Sequence, residues 1–375
     1  MADETSNVPE ISVTELRDRL DAGASVMVVD IRSRKDFEEW HIPGSLHIEK
    51  LGDPEDGPER NDVMRVLPED EPVVTVCPSG NKSRTAAHRL RDWGRVAYSL
   101  DGGLRAWTLA WNTAELELPD DRGRVVQVRR TGKGCLSYVV GSGSEALVID
   151  PALDPEVFEV EAEKRGWRIV GVVETHVHAD HLSRARKLAD STGARLYLPE
   201  GVETAFQHRV LGDGDVITFG NVDLTVLSTP GHTPESASYR LGDAVVFTGD
   251  TLFLDGVGRP DLDADADGAR RKARQLHQSL RRLASLPDGI TVLPAHTASP
   301  VPFDGRLVGA SLEDVRDRIP ALAESAADFA HDVLARIPPT PANHQKIIPL
   351  NRRGEWPAEQ DVVELESGAN RCAAG

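Results

Sequence analysis

Apolar positions in the first 111 residues alternate between two rhythms. "SVTELRDRLDAG" (12 to 23) has a Ser/Thr start, apolar spacing near 3.6 and a Gly stop, so it predicts a helix. "SVMVVDI" (25 to 31) and "VVTVC" (73 to 77) are mostly apolar runs of strand length, and "SRTAAHRLRDWG" (83 to 94) returns to helical spacing. Strands alternating with helices predict a small parallel sheet with flanking helices. Residues 112 to 124, "NTAELELPDDRGR", hold charge, Pro and Gly without a sustained apolar period and are expected to form a linker. From 125 to 335 the texture changes to short strands, "VVQVRR", "CLSYVVGS", "EALVIDP", "VDLTVLSTPG" and "AVVFTGD", mixed with helical stretches at 181 to 192 and 265 to 286. That predicts a second, larger α and β domain. Residues 336 to 375 begin with a proline cluster and continue as an amphipathic segment, "PANHQKIIPLNRRGEWP". This tail is expected to pack on the second domain or a partner subunit, with its last dozen residues frayed.

At 375 residues, two domains are the better prior. Lys plus Arg total 43 against 61 Asp plus Glu, a net charge of −18, which argues against nucleic acid or an anionic membrane as partner. Three scattered cysteines point to a reducing compartment. "MADETSNVPE" lacks the apolar core of a secretory signal, and no apolar run approaches membrane-spanning length. A cytoplasmic protein is expected, with room for a homodimer.

In "TVCPSGNKSR" (75 to 84) a buried strand ends in Cys77, and a short Gly-containing loop leads into a helix. Loop amides, the helix N-terminus and the charges of Lys82 and Arg84 would favour a thiolate there. A tyrosine phosphatase needs arginine after five intervening residues; Ser83 holds that position and Arg84 lies one step too far. With "VVDIRSRKDFEEWHIPGSLHI" and "LDGGLRAW", this segment resembles the rhodanese (sulfurtransferase) family across roughly residues 9 to 111. The resemblance implies a persulfide carried on Cys77, cradled by Pro78, Ser79, Gly80, Asn81 and Lys82. Asp30, Arg32, His41 and Gly44 match framework positions.

"ETHVHADHLSRA" (174 to 185) concentrates three of the chain's 12 histidines in six positions. Buried imidazoles packed that closely each need a polar partner, so a metal is the first suspect. His176 and His178 alternate along an extended segment, while Asp180 and His181 follow from the turn into the next helix. His232 in "STPGHTPES", Asp250 in "VVFTGDTLF" and His296 in "VLPAHT" each end an apolar strand, where loops gather around one cavity. The ensemble resembles the metallo-β-lactamase fold over about 125 to 335, an αββα sandwich with its metal at one edge.

These seven side chains admit two uses. All of them can hold two zinc ions for hydroxide attack on a thioester, as in glyoxalase II. Alternatively, His176, His232 and Asp250 bind one Fe(II) per chain, while His178, Asp180, His181 and His296 orient ligands and shuttle protons. A third class, a sulfur-carrier or sensing module with a structural metal, is disfavoured because no cysteine belongs to the cluster.

"FTGDTLFLDGVGRPDL", "GCLSYVVGSGSEALVIDP" and "PPTPANHQKIIPLNR" resemble segments of persulfide dioxygenases. That resemblance implies oxidation of a small thiol persulfide, such as glutathione persulfide, by dioxygen to sulfite and free thiol. It also implies Arg259 and Asp261 as a grip on the thiol carrier, and the fused sulfurtransferase would exchange sulfur with sulfite or thiosulfate. Val257, the segment "HTAS" and Arg184 depart from the family pattern and are expected to line the thiol pocket.

Overall fold

A computed structural model of the chain describes residues 8–53, 55–341, 343–367 and 372–374. The first unit is a parallel sheet of β1 (Glu10–Ile11), β2 (Met27–Asp30), β3 (Leu46–His47), β4 (Val73–Val76) and β5 (Ala97–Leu100), in the order β1-β5-β4-β2-β3. Its helices are α1 (Val13–Asp21), α2 (Arg34–Glu39), α3 (Arg60–Val66), α4 (Asn81–Asp92) and α5 (Gly103–Trp107). Strand β4 is buried along its whole length, as an apolar run covered on both faces must be. Arg32 forks onto the buried carboxylate of Asp30, with Nη2 at 2.7 Å, in keeping with the framework role expected of this pair.

The segment expected to link the domains is instead structured. Asn112–Glu117 forms β6, paired antiparallel with β7 (Arg124–Arg130) from Asn112↔Arg129 to Glu117↔Arg124. The alternation of buried Asn112 and Ala114 with more exposed Thr113 and Glu115 is a strand signal, here too short and too charged to stand out beside Pro119 and Gly123.

A seven-stranded sheet follows in the order β12-β11-β10-β9-β8-β7-β6, built with β8 (Cys135–Ser142), β9 (Glu145–Ile149), β10 (Arg168–Val173), β11 (Arg195–Pro199) and β12 (Arg209–Leu211). The facing six-stranded sheet runs β13 (Val216–Phe219), β14 (Val222–Ser228), β15 (Ala237–Leu241), β16 (Val245–Gly249), β18 (Thr291–Pro294) and β19 (Ala310–Ser311). Tyr138, Val140, Leu224, Tyr239 and Phe247 pack between the sheets. On the outer faces, α6 (Pro155–Glu163) and α7 (Ala185–Thr192) cover the first sheet, and α8 (Ala266–Leu283), α9 (Leu312–Arg318) and α10 (Ala326–Ala335) cover the second. This is the αββα sandwich expected. Helix α7 begins at Ala185 and not at 181, because the histidine loop stays irregular through Arg184.

The tail holds α11 (His344–Arg353) and α12 (Glu359–Leu365), then β20 (Ala373–Ala374), which pairs antiparallel with β17 (Val257–Gly258). Ile347 and Val362 pack on Leu182 of the histidine loop, and Ile348 packs on Ala179. The expected fraying is therefore corrected for 364–367 and 372–374, since Cys372 is buried and Arg259 N–H donates to its carbonyl at 3.1 Å. Residues 368–371 and 375 lie outside the described residues. No helix among the described residues is long and apolar enough to cross a membrane.

Glu366 joins tail to core. Its buried carboxylate accepts from Arg130 Nη2 at 2.7 Å, from Arg184 and from the Leu182 amide at 2.7 Å. Burial pushes this carboxyl up, but the charges of Arg184 and Arg130 outweigh it and hold it at about 2. Arg184, expected to line a thiol pocket, is thus committed to this pair and stacks on Trp356. Glu366→Gln leaves two buried guanidinium groups facing a neutral amide, and should lower stability by about 3–5 kcal/mol at neutral pH in denaturant unfolding. Because the folded value lies below the ordinary ~4.3, the contribution is full above that pH and fades as pH falls toward about 2. The gap between wild type and variant should narrow across that window; a gap independent of pH would contradict the assignment.

Candidate metal centre and sulfur cradle

Seven side chains meet at one edge of the sandwich: His176, His178, Asp180 and His181 from the loop after β10, His232 after β14, Asp250 after β16 and His296 after β18. Each is at most 3% exposed. Every imidazole directs one nitrogen outward to a fixed partner. His176 Nδ1 donates to Thr175 Oγ1 at 2.9 Å, and that hydroxyl itself donates to Asp150. His178 Nε2 donates to Glu174 at 2.9 Å, His181 Nδ1 to Asp180 at 3.1 Å, His232 Nδ1 to the Arg259 carbonyl at 2.9 Å and His296 Nδ1 to Asp250 Oδ1 at 2.6 Å. The opposite nitrogens point inward. His176 Nε2, His178 Nδ1, His181 Nε2, His296 Nε2 and Asp250 Oδ2 are buried without a hydrogen-bond partner. Orphaned lone pairs of this kind fit a cation, which the outward bonds pre-orient them to hold.

Within the cluster, His176 Nε2 and His232 Nε2 lie 3.6 and 3.7 Å from Asp250 Oδ2. Burial lowers both imidazole pKa values. Burial also opposes ionisation of Asp250, yet His296, then His176 and His232, hold its carboxyl far below the ordinary range. Two neutral imidazoles and one carboxylate are the protonation states a divalent metal requires. His296 Nε2 sits 3.1 Å from Asp180 Oδ2.

Sequence reasoning missed four groups. Asp150 and Glu174 fix Thr175 and His178 from the ends of β9 and β10; both stand in quoted motifs, and their position at apolar strand ends was the available signal. Cys135 and Cys372 also border the cluster, correcting the expectation that no cysteine belongs to it. Cys135 Sγ lies 3.7 Å from Asp180 Oδ2 and 3.9 Å from His181 Nδ1, and Cys372 groups with Asp250 and His296. Strand pairing brings them in from about 40 residues upstream of the loop and from the distant tail. Gly258 lets β17 lie against the Asp250 turn and His232, since a Cβ there would meet the Asp250 carbonyl at 2.0 Å.

The expected substrate grip is a second correction. Arg259 is fully buried, with Nε and Nη2 both 2.8 Å from Asp261 and Nη1 donating to the Pro339 carbonyl. Its backbone carbonyl orients His232, so the pair acts as a clasp beneath a ligand.

In the first unit Cys77 is 2% exposed at the end of β4. Its sulfur meets Ser83 Oγ at 3.3 Å and Ser83 N at 3.4 Å, and Ser83 Oγ donates to the Gly80 carbonyl. Pro78, Ser79 and Gly80 form the bend, while Asn81 and Lys82 open α4. Gly103 closes the bend from below at φ +60°, where a Cβ would lie 2.3 Å from the Cys77 carbonyl. Arg84 turns away to Glu10 at 2.6 Å, so its expected charge at the thiol is spent elsewhere.

Residues 130–296 match the family described as the metallo-beta-lactamase superfamily, and residues 12–110 match the rhodanese-like domain. A hydroxyacylglutathione hydrolase from Pseudomonas entomophila (strain L48) is 30% identical over 232 residues, 60% of this chain and 85% of that protein. The chain belongs to the metallo-β-lactamase superfamily. It carries an N-terminal rhodanese-like domain before the metallo-β-lactamase domain. Among solved structures, it is similar to a metallo-beta-lactamase from Staphylococcus aureus subsp. aureus COL (TM-score 0.57, 28% identity, 62% of this chain and 73% of that one). It is also similar to ETHE1 from Myxococcus xanthus (TM-score 0.53, 30% identity, 61% of this chain and 97% of that one).

Arg259→Ala keeps the backbone carbonyl that His232 Nδ1 donates to but removes the ion pair with Asp261 that holds it in place, so metal binding should loosen about 10–100-fold, measured by chelator competition. Unchanged metal affinity with a raised Michaelis constant would instead return Arg259 to substrate binding.

Proposed function

We propose that this protein is a persulfide dioxygenase with a working sulfurtransferase domain. The observation that carries the reading is the division of labour at Asp250: Oδ1 accepts from His296 at 2.6 Å, leaving Oδ2 to face His176 and His232. That arrangement favours a two-histidine, one-carboxylate face for a single metal over a carboxylate shared between two. Iron(II) held by such a face supplies open positions for dioxygen and a sulfur substrate. The likeness to ETHE1 and the rhodanese-like domain on the same chain support the same reading.

The reaction is RSSH + O2 + H2O → RSH + H2SO3, in which the terminal sulfur gives up four electrons and dioxygen takes four. A cavity of about 300 Å³ opens onto His296, bounded by Phe253, Leu254, Thr297, Ser299 and Ala373, and offers the persulfide an approach. His178 and His181, fixed by Glu174 and Asp180, orient the loop and hold protons beside the reacting groups. At the cradle, Cys77 persulfide and sulfite exchange to give thiosulfate and the free Cys77 thiolate: the S–S bond at Cys77 breaks as the new S–S bond forms. Tethering raises the effective concentration of sulfite at Cys77.

The name of the Pseudomonas relative favours a second reading, thioester hydrolysis at two zinc ions. Oxygen uptake separates the two. His232→Ala and Asp250→Ala should abolish persulfide-dependent uptake; thioester hydrolysis with no uptake in the unaltered protein would overturn the proposal. Cys77→Ser should leave uptake with a small-thiol persulfide nearly intact while removing thiosulfate from the products. Identical sulfite to thiosulfate ratios in the two proteins would assign Cys77 to docking or structure.

A further inference from the structure

The loop carrying four of the seven clustered side chains has no helix or strand between Thr175 and Arg184, so no backbone ladder fixes it. From His178 to Ser183 its backbone is held from the tail instead. Asn351 Nδ2 donates to the carbonyls of His178 and His181, both at 2.9 Å, and Asn351 Oδ1 accepts from the Ser183 amide at 2.9 Å. One amide side chain thereby ties three backbone groups across six residues. Farther along the tail, Glu366 Oε1 accepts from the Leu182 amide at 2.7 Å. Leu182 packs against Ile347 and Val362, and Ala179 against Ile348.

We propose that Ile347, Ile348, Asn351, Val362 and Glu366 of the tail form a clasp that sets the metal loop in its ligand geometry, with Asn351 as the positioning residue. The two carbonyls it takes belong to His178 and His181 themselves. Fixing those peptide units fixes the Cα–Cβ directions that aim His178 Nδ1 and His181 Nε2 inward, with Asp180 between them. Asn351 never touches the metal and acts through the loop. Tail docking and metal binding are then linked, and each tightens the other by the same factor. The inference rests on the presence of a metal site and is independent of the reaction carried out there.

Asn351→Asp tests it, because the variant keeps shape and the acceptor for Ser183 but sets a carboxylate against two carbonyls. Metal-free protein is titrated anaerobically with Fe(II) or Co(II) against a chromophoric chelator. Affinity should fall about 10-fold or more, the range seen when outer partners of metal ligands are lost. Asn343→Gly is the control: it removes the bond from Asn343 Nδ2 to the Leu365 carbonyl inside the tail and suits the left-handed φ of 63° at that position. Its metal affinity should match wild type. Metal should also slow proteolysis of the tail in wild type, and less so in Asn351→Asp. If the aspartate variant does not fold, Asn351→Ser, which removes both long-range donors without adding charge, takes its place in the same titration. Wild-type metal affinity in the folded variant would overturn the proposal, as would an equal loss in Asn343→Gly or tail proteolysis indifferent to metal.

Discussion

Burying lone pairs without a partner is the constraint on which this fold depends. Five nitrogen and oxygen atoms from His176, His178, His181, His296 and Asp250 are buried without a partner in one small volume at the edge of the sandwich. Each unmet polar atom costs about 1–3 kcal/mol, so the cluster burdens folding unless a cation compensates it. The surrounding groups keep that volume intact by taking the outer nitrogens. Thr175, Glu174, Asp180, Asp250 and the Arg259 carbonyl each fix one ring, leaving only the inner atom available. The scaffold spends hydrogen bonds on the far side of each ligand to make the near side chemically open.

That economy explains features that look unrelated along the chain. Buried Arg259 serves His232 through its backbone, and its charge is neutralised by Asp261 two residues on. Glu366 compensates two further buried arginines while capping the Leu182 amide. Both arrangements place ionic groups where they would be expensive if unpaired, and both end on the metal loop or its ligands. The rhodanese-like cradle follows a different logic, in which backbone curvature around Cys77 and the hydroxyl of Ser83 surround the sulfur.

Much of this was legible in the sequence because its signals are local. The strand that ends at Cys77, the spacing of His176, His178, Asp180 and His181, and His232, Asp250 and His296 at strand ends all depend on residues close in the chain. What escaped was set by distant pairing. β6 hid because six alternating residues beside Pro119 carry little weight until β7 supplies a partner. Cys135 and Cys372 reached the cluster only through strand contacts that no local pattern encodes. Arg259 and Arg184 illustrate the hardest case. An arginine in a motif reads as a hand for substrate, and only the folded structure shows it to be already occupied, by Asp261 two residues on for Arg259 and by the distant Glu366 for Arg184. Arg84 went the same way, to Glu10.

The central claim is that the cluster presents one catalytic metal position, built on His176, His232 and Asp250, with the other four side chains supporting it. Anaerobic titration of metal-free protein with Fe(II), followed by metal analysis after removal of loosely bound ion, tests this directly. The account predicts saturation at about one iron per chain, with the same stoichiometry but weaker affinity in His181→Ala and loss of iron in His232→Ala. Saturation at two metals per chain, with one lost in His181→Ala, would contradict it.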